Sequence, residues 1–234
     1  MGLQPVERSS AVELCADALR SAVLRGEYAK GARLPPERRL ATTLGVNRVT
    51  VRGALARLVN EGLLSVRQGS GYEVMDLLES GGISLISPLA EHVGRKNVVR
   101  DLLEVRRAIA GVVLKRLAER KPSRAALDAI EKAIDSLEAA IPGAPVSVIA
   151  EADLAVLGAV VNATGSAALR LVLNPVSEVL LSLSGLQAAM FRSPEENVLG
   201  WRGLVMWLRS DERDVEPLLA VLAERDAATL RRTS

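Results

Sequence analysis

The spacing of apolar positions divides the chain into a mixed first third and a helical remainder. Val12, Cys15, Ala16 and Leu19 recur at three- and four-residue intervals and predict a helix over 12–24, ended by Gly26 and followed by a loop through Gly31. From Glu37 to Leu44, the residues Leu40, Ala41 and Leu44 mark one buried face, and Gly45 breaks the run. Asn47 is then placed as the N-cap of a second run, in which Val51, Ala54, Leu55 and Leu58 continue the stripe. Two short helices joined by a tight glycine-containing turn make a helix-turn-helix, which the 12–24 helix is expected to brace from behind. After Gly62 the period changes. Leu63 to Val66 and Tyr72 to Val74 read as short strands around Arg67-Gln68-Gly69-Ser70-Gly71, a hairpin whose glycines let the backbone approach another surface.

Gly81-Gly82 reads as a linker, and beyond it only helical periods survive. They cover 84–93, 97–119, 123–140, 146–161, 167–184, 194–209 and 214–231, with breaks at Pro122, Pro142-Gly143, Pro145, Gly165 and Gly185. Pro217 fits only near the start of the last helix, which should begin close to Arg213, and Pro175 should kink its segment. The expected fold class is mainly α. Residues 1–76 form an N-terminal winged helix-turn-helix domain of three helices and a small β-hairpin wing, 77–96 a linker and connecting helix, and 97–234 a six- to seven-helix bundle.

Once the apolar stripe of the second helix is buried, Asn47, Arg48, Thr50 and Arg52 remain on its outer face. In a helix-turn-helix this end enters the major groove, where Arg pairs with guanine and Asn with adenine. Arg38 to Asn60 contains five arginines and no Asp or Glu, so nothing along this surface repels phosphate. Arg67 and Gln68 add donors at the hairpin tip, suited to phosphate or the minor groove. The competing reading of the same residues is a solvated basic face on an ordinary α-domain.

Composition adds to this picture through its distribution. The net charge is only +2, but residues 1–76 hold 11 Lys+Arg against 8 Asp+Glu and the remainder holds 19 against 20. A basic head and a near-neutral body suit a chain in which only the head meets a polyanion. With 49% apolar residues and 2% aromatic, the cores must be packed by aliphatic side chains. One cysteine, Cys15, excludes an intramolecular disulfide and fits a reducing compartment; it lies in an apolar helix pattern, as a buried side chain would, with a catalytic thiol as the sharper alternative. No signal peptide pattern is present, and no uninterrupted apolar run approaches the ~18 residues that span a bilayer, so a soluble cytoplasmic protein without membrane contact is expected.

The string Leu34-Pro35-Pro36-Glu37-Arg38, Leu44 to Arg52, Ala54-Leu55-Ala56-Arg57-Leu58, Glu61-Gly62-Leu63 and Gln68-Gly69-Ser70-Gly71 resembles the winged-helix signature of the GntR family of bacterial transcription regulators. By that resemblance Arg38, Arg48, Thr50, Arg52, Gln68 and Gly69 fall on DNA-contacting positions. Asn47 stands where the family commonly has Ser or Thr, Val49 where it often has Thr and Gly53 where it often has Glu, departures that bear on which operator is read. The helical half resembles the ligand-sensing domain of the FadR subfamily: Leu102 to Arg107 its opening helix, Glu151-Ala152-Asp153 and Asn162 to Gly165 its central helix and turn, Ser210 to Leu222 its closing pair.

Many members of that subfamily bind a divalent ion through the central Asp and three histidines. Here Asp153 stands, but the histidine four residues on is Leu157, the later positions align near Trp201 and Ala223, and the only histidine, His92, precedes the bundle. One carboxylate without imidazoles does not make the ordinary N/O site, so neither metal nor other cofactor is expected. The pattern resembles the fatty-acid regulator of the subfamily. It implies an acyl-coenzyme A or other amphipathic acid between the helices, with Arg106 as anion anchor, Asp153, Leu157 and Thr229 around it, and Arg225 where the resemblance expects a tyrosine. Arg106 could equally form a surface ion pair with Glu104 or Asp101. No nucleophile, base and orienting group can be assembled with one histidine, so no enzyme is expected. The whole reads as a homodimeric regulator on a pseudo-palindromic double-stranded DNA operator; the alternative is a ligand-independent architectural dimer.

Overall fold

A computed structural model describes residues 11–67, 71–93, 95–183 and 185–232; the side chains of His92, Val93 and Arg95, and the expected wing residues Gln68 and Gly69, lie outside the described set. The chain forms two compact units, 1–93 and 94–234. Among the described residues there are twelve α-helices, one 3-10 turn and one two-stranded sheet.

In the first unit, α1 (Ala11–Leu24) and α2 (Glu37–Leu44) both pack on α3 (Arg48–Asn60). The stripe expected for α3 is fully inside: Val51, Ala54, Leu55 and Leu58 have no exposed surface and meet Cys15, Ala16 and Leu19 of α1 and Leu40 of α2 in one core. A buried leucine of this kind stabilises by about 1.5–3 kcal/mol relative to exposure. Gly45 ends α2 in the left-handed region, with φ 66°. Asn47 caps α3 as expected, its Oδ1 accepting the Thr50 backbone N–H at 2.8 Å.

Strands β1 (Leu64–Arg67) and β2 (Gly71–Val74) pair antiparallel with Leu64 opposite Val74 and Arg67 opposite Gly71. A third short stretch lies on the far edge of β2. Leu34 N–H donates to Tyr72 O and Val74 N–H to Ala32 O, both at 2.9 Å, so the loop before α2 belongs to the sheet. The first unit then continues through α4 (Leu77–Ser80), the turn Ile83–Leu85 and α5 (Ile86–Val93).

Gly81-Gly82 is therefore not a free tether. Gly82 N–H donates to Glu61 O at 2.9 Å, and Leu85 is buried in the head core. A side chain on Gly62, which has φ 79°, would overlap the Ser80 carbonyl, so this glycine permits the close return of 80–82 on the end of α3. Glycine-rich composition suggested flexibility; here it serves close backbone packing.

The second unit comprises α6 (Arg95–Glu119), α7 (Arg124–Ala140), α8 (Val146–Ala163), α9 (Ala167–Ser182), α10 (Leu186–Met190), α11 (Pro194–Arg209) and α12 (Glu216–Arg232). Its core is aliphatic and is centred on Leu117 of α6, Ile130, Ile134 and Leu137 of α7, and Val156 and Val160 of α8. Ser123 caps α7 by accepting Ala126 N–H. α12 starts at Glu216 rather than near Arg213, which puts Pro217 in its first turn, and α9 runs as one helix through Pro175. α10 falls where Gly185 predicted only a break. α8 also differs from expectation: its 18 residues reach a mean hydropathy of 1.7, long and apolar enough to cross a membrane by length and composition. Glu151 and Asp153 interrupt its apolar run, and its Ile149, Val156, Val160 and Val161 are buried against the other helices.

Candidate functional site: a basic helix face and an interior cavity

The first site is the N-terminal end of α3. Arg48, Val49 and Arg52 face outward; Val49 is 79% exposed, so an apolar side chain is held in water between two arginines. Arg38 and Asn47 are exposed beside them. Thr50 departs from the expected face: it is only 8% exposed, and its hydroxyl donates to Asn47 Oδ1 at 3.1 Å, completing the cap instead of pointing outward. Glu37, at the start of α2, receives Arg52 Nε at 3.1 Å and Nη2 at 2.9 Å, with Arg48 Nη2 3.8 Å away. The hydrogen bond from Arg52 holds the Glu37 carboxyl below the usual carboxylate range. On the hairpin, Arg67 is exposed and pairs with Glu73 at 3.0 Å.

Cys15 is buried under α1, and burial pushes its thiol up, which is the opposite of nucleophile activation. On α1 as well, Arg20 reaches across to Glu61, donating from Nε at 2.9 Å and Nη2 at 2.7 Å, and ties the ends of α1 and α3 together.

The second site is a cavity of about 230 Å³ inside the helical unit. All five side chains expected around an effector, Arg106, Asp153, Leu157, Arg225 and Thr229, line it, although they come from three helices. The rest of the wall is largely apolar, including Ile109, Val113, Leu173, Leu204 and Leu218. Asp153 Oδ1 accepts Trp201 Nε1–H at 2.7 Å and Asn197 Nδ2–H at 3.4 Å. Burial pushes the Asp153 carboxyl above its ordinary range, against these two donors and the nearby Arg106 and Arg225. Trp201 thus supplies an N–H donor where the resemblance placed a metal ligand. Among the described residues no three His, Cys, Asp or Glu side chains converge as a metal site.

Arg106 does not pair with Glu104 or Asp101. It donates to Asp226 of α12, and Arg107 Nη1 reaches the other oxygen of the same carboxylate at 3.2 Å. Arg106 Nε is buried and has no hydrogen-bond partner among the described residues. Burial pushes Asp226 up despite its two cations. Arg225 donates to Asn197 Oδ1, and burial weakens its hold on its proton. Gly200 makes room for it, since a Cβ there would lie 2.7 Å from Arg225 Nη1. The Asp226 and Trp201 partnerships were not legible in advance, because each joins residues on different helices.

Two family profiles match, one for bacterial regulatory proteins of the gntR family over residues 12–74 and one for the FCD domain over 101–234. The chain belongs to the GntR family. Its head carries the family's helix-turn-helix and its bundle the FCD domain, and its family consists of transcriptional regulators rather than enzymes. It is similar to the HTH-type transcriptional regulator Mce2R of Mycobacterium tuberculosis, 44% identical over 108 residues that cover 45% of each chain. The chain thus spans less than half of that relative's length in the match. An uncharacterised HTH-type transcriptional regulator of the same species is 35% identical over 168 residues, 72% of this chain and 67% of the relative. The fatty acid metabolism regulator protein of Pectobacterium carotovorum is 26% identical over 196 residues, covering 81% of this chain and 77% of that one. Among solved structures, Lar, which controls expression of the Listeria monocytogenes agr system, shares the fold with TM-score 0.66 at 14% identity, covering 100% of this chain and 98% of its own.

Proposed function

We propose that the chain is a cytoplasmic DNA-binding transcription regulator that grips a pseudo-palindromic operator as a homodimer and is switched by a small amphipathic acid held in the bundle. The observation that carries the DNA reading is the outward set Arg48, Val49 and Arg52 on a capped α3 whose opposite face is fully buried. A recognition helix presented this way fits the major groove, where arginine reads guanine and an exposed valine meets a thymine methyl. One such helix reads only a few base pairs, and two-fold symmetry doubles the site. Arg38 and Arg67, together with Gln68 and Gly69 of the wing, complete the proposed contact set. Equilibrium binding to a duplex selected by the protein from a random pool tests this. Affinity should fall steeply as salt rises from about 50 to 200 mM, with a clear preference over a scrambled duplex. Absence of any selected sequence would overturn the reading.

The effector reading rests on the cavity, whose largely apolar wall includes Arg106, Arg225 and their partners Asp226 and Asn197. An anionic group would draw on Arg225, whose described partner is a neutral amide, with the Arg106 charge nearby. Similarity to a protein named for fatty acid metabolism supports an acyl ligand. The volume of about 230 Å³ lies below the roughly 300–1,000 Å³ of sites holding drug-sized ligands, which favours a short-chain acid and requires the bundle to open for a long-chain acyl-coenzyme A. A thermal-shift panel of fatty acids, short organic acids and acyl-coenzyme A species decides. A true effector at about 100 times its dissociation constant adds roughly 2.7 kcal/mol to the bundle. A flat panel would favour the ligand-independent architectural dimer.

A further inference from the structure

Among the described residues, Glu37 is the carboxylate paired with both Arg48 and Arg52 at the start of α3, and its position runs against simple electrostatics. A negative charge there repels the phosphates that Arg48 and Arg52 would approach. Yet its side chain is 18% exposed while Arg52's is 64% exposed, so the acid sits beneath the arginine rather than beside it. Both of its oxygens are engaged by Arg52, Oε1 by Nε–H and Oε2 by Nη2–H, and Arg48 Nη2 lies 3.8 Å from Oε2. A guanidinium carries five N–H donors in a rigid plane. The Glu37 fork uses two on one edge and leaves the Nη1 pair and the outer Nη2–H free. Those remaining donors form the end-on pair that matches O6 and N7 of guanine. Arg52 is thereby fixed in orientation before any DNA arrives, while a free arginine would turn as readily to a phosphate as to a base.

From this arrangement we propose that Glu37 is a positioning residue for sequence reading: it buttresses Arg52 from below so that its free edge meets a base, and it discourages both arginines from settling on phosphates. The inference rests on the DNA-binding reading above. Glu37 contributes to discrimination, not to grip. Removing its charge should tighten binding to arbitrary DNA, because a like charge near phosphate is lost and two arginines are released to the backbone. Binding to the preferred sequence should gain nothing or weaken, because Arg52 loses its fixed plane. The low carboxyl pKa agrees with a group that stays ionised throughout the working range.

The experiment compares the full chain with Glu37→Gln, Arg52→Ala and the double variant on two duplexes: the sequence that the unaltered protein selects from a random pool, and a scrambled version. Glu37→Gln keeps the side-chain volume and one oxygen acceptor, and its melting transition is read alongside as a check on folding. The ratio of the two affinities should fall about tenfold in Glu37→Gln, with scrambled-duplex binding tighter than for the unaltered protein. In the Arg52→Ala background, Glu37→Gln should leave the ratio unchanged, since the residue it positions is gone. A folded Glu37→Gln variant that keeps the full ratio would overturn the inference while leaving the DNA-binding reading intact. So would an equal loss in the Arg52→Ala background, which would show Glu37 acting independently. If the unaltered protein selects no sequence, the DNA-binding reading itself fails and this inference with it.

Discussion

In the head, Glu37 and Asp76 lie near the surface against Arg52 and Lys30, and hydrogen bonds from those cations hold both carboxyls below the usual carboxylate range. In the bundle, Asp153 and Asp226 are withdrawn from water, and burial pushes both the other way. The same residue types are used with opposite electrostatic outcomes. On an outward face, a carboxylate can hold one edge of a guanidinium while the arginine stays largely exposed, as Glu37 does for Arg52. Inside a bundle, charge must be paired, so arginines and carboxylates lock helices together and leave any surplus directed at the cavity. An exposed helix face and a closed bundle interior therefore call for different arrangements of the same side chains.

The contrast is broken most forcefully at Asp226. Its loss in Asp226→Ala leaves Arg106 and Arg107 with no shared carboxylate between α6 and α12. The bundle's unfolding transition should fall by about 3 kcal/mol in urea at neutral pH, with the head's transition in place. A change below about 1 kcal/mol would class the triad with ordinary surface pairs and erase the distinction. A smaller and opposite-sided effect is expected from Asn47→Ala, which removes the cap of α3 and should cost the head about 1 kcal/mol, read by the same denaturation, with no effect on the bundle.

Acid sharpens the comparison further. Asp153 binds its proton more tightly in the folded chain than in the unfolded one. Its contribution to stability is therefore full below the unfolded value near ~3.9 and is lost as pH rises through its raised folded value. Glu37 and Asp76 behave inversely: their contribution is present above the ordinary range of about 3.9–4.3 and is lost as pH falls through their lowered values. Melting followed from about pH 4 to 7 should show the bundle declining relative to the head, and Asp153→Asn should reduce the bundle's slope, Asp226 retaining the rest, and leave the head's unchanged. The slightest effect belongs to the wing. Arg67→Ala should leave both melting transitions in place and reduce the slope of log affinity against log salt by about 1.

How far each region was legible in the sequence follows from the span of its contacts. The helix-turn-helix is written in near neighbours: Asn47 caps a residue three positions on, Gly45 ends the helix it follows, and Val51 to Leu58 complete one stripe. The pairing of 31–34 with β2 has too few residues to show a period, and a helical wheel does not show that the Thr50 hydroxyl joins the cap. In the bundle, periodicity found six of the seven helices but could not pair them. Trp201 meets Asp153 across 48 positions and Arg106 meets Asp226 across 120, and nothing local encodes either. The cavity residues were reached by resemblance instead, and the structure brings all five to one chamber.

Whether α3 reads DNA sequence through its outward arginines is decided by selection from a pool of random duplexes, run with the unaltered protein and with Arg52→Ala in parallel. The unaltered protein should enrich an inverted repeat, and the variant should lose the preference at one base pair of each half-site while affinity for the original sequence drops roughly 10- to 100-fold. Enrichment of the same motif with the same strength by both proteins would show that Arg52 reads no base.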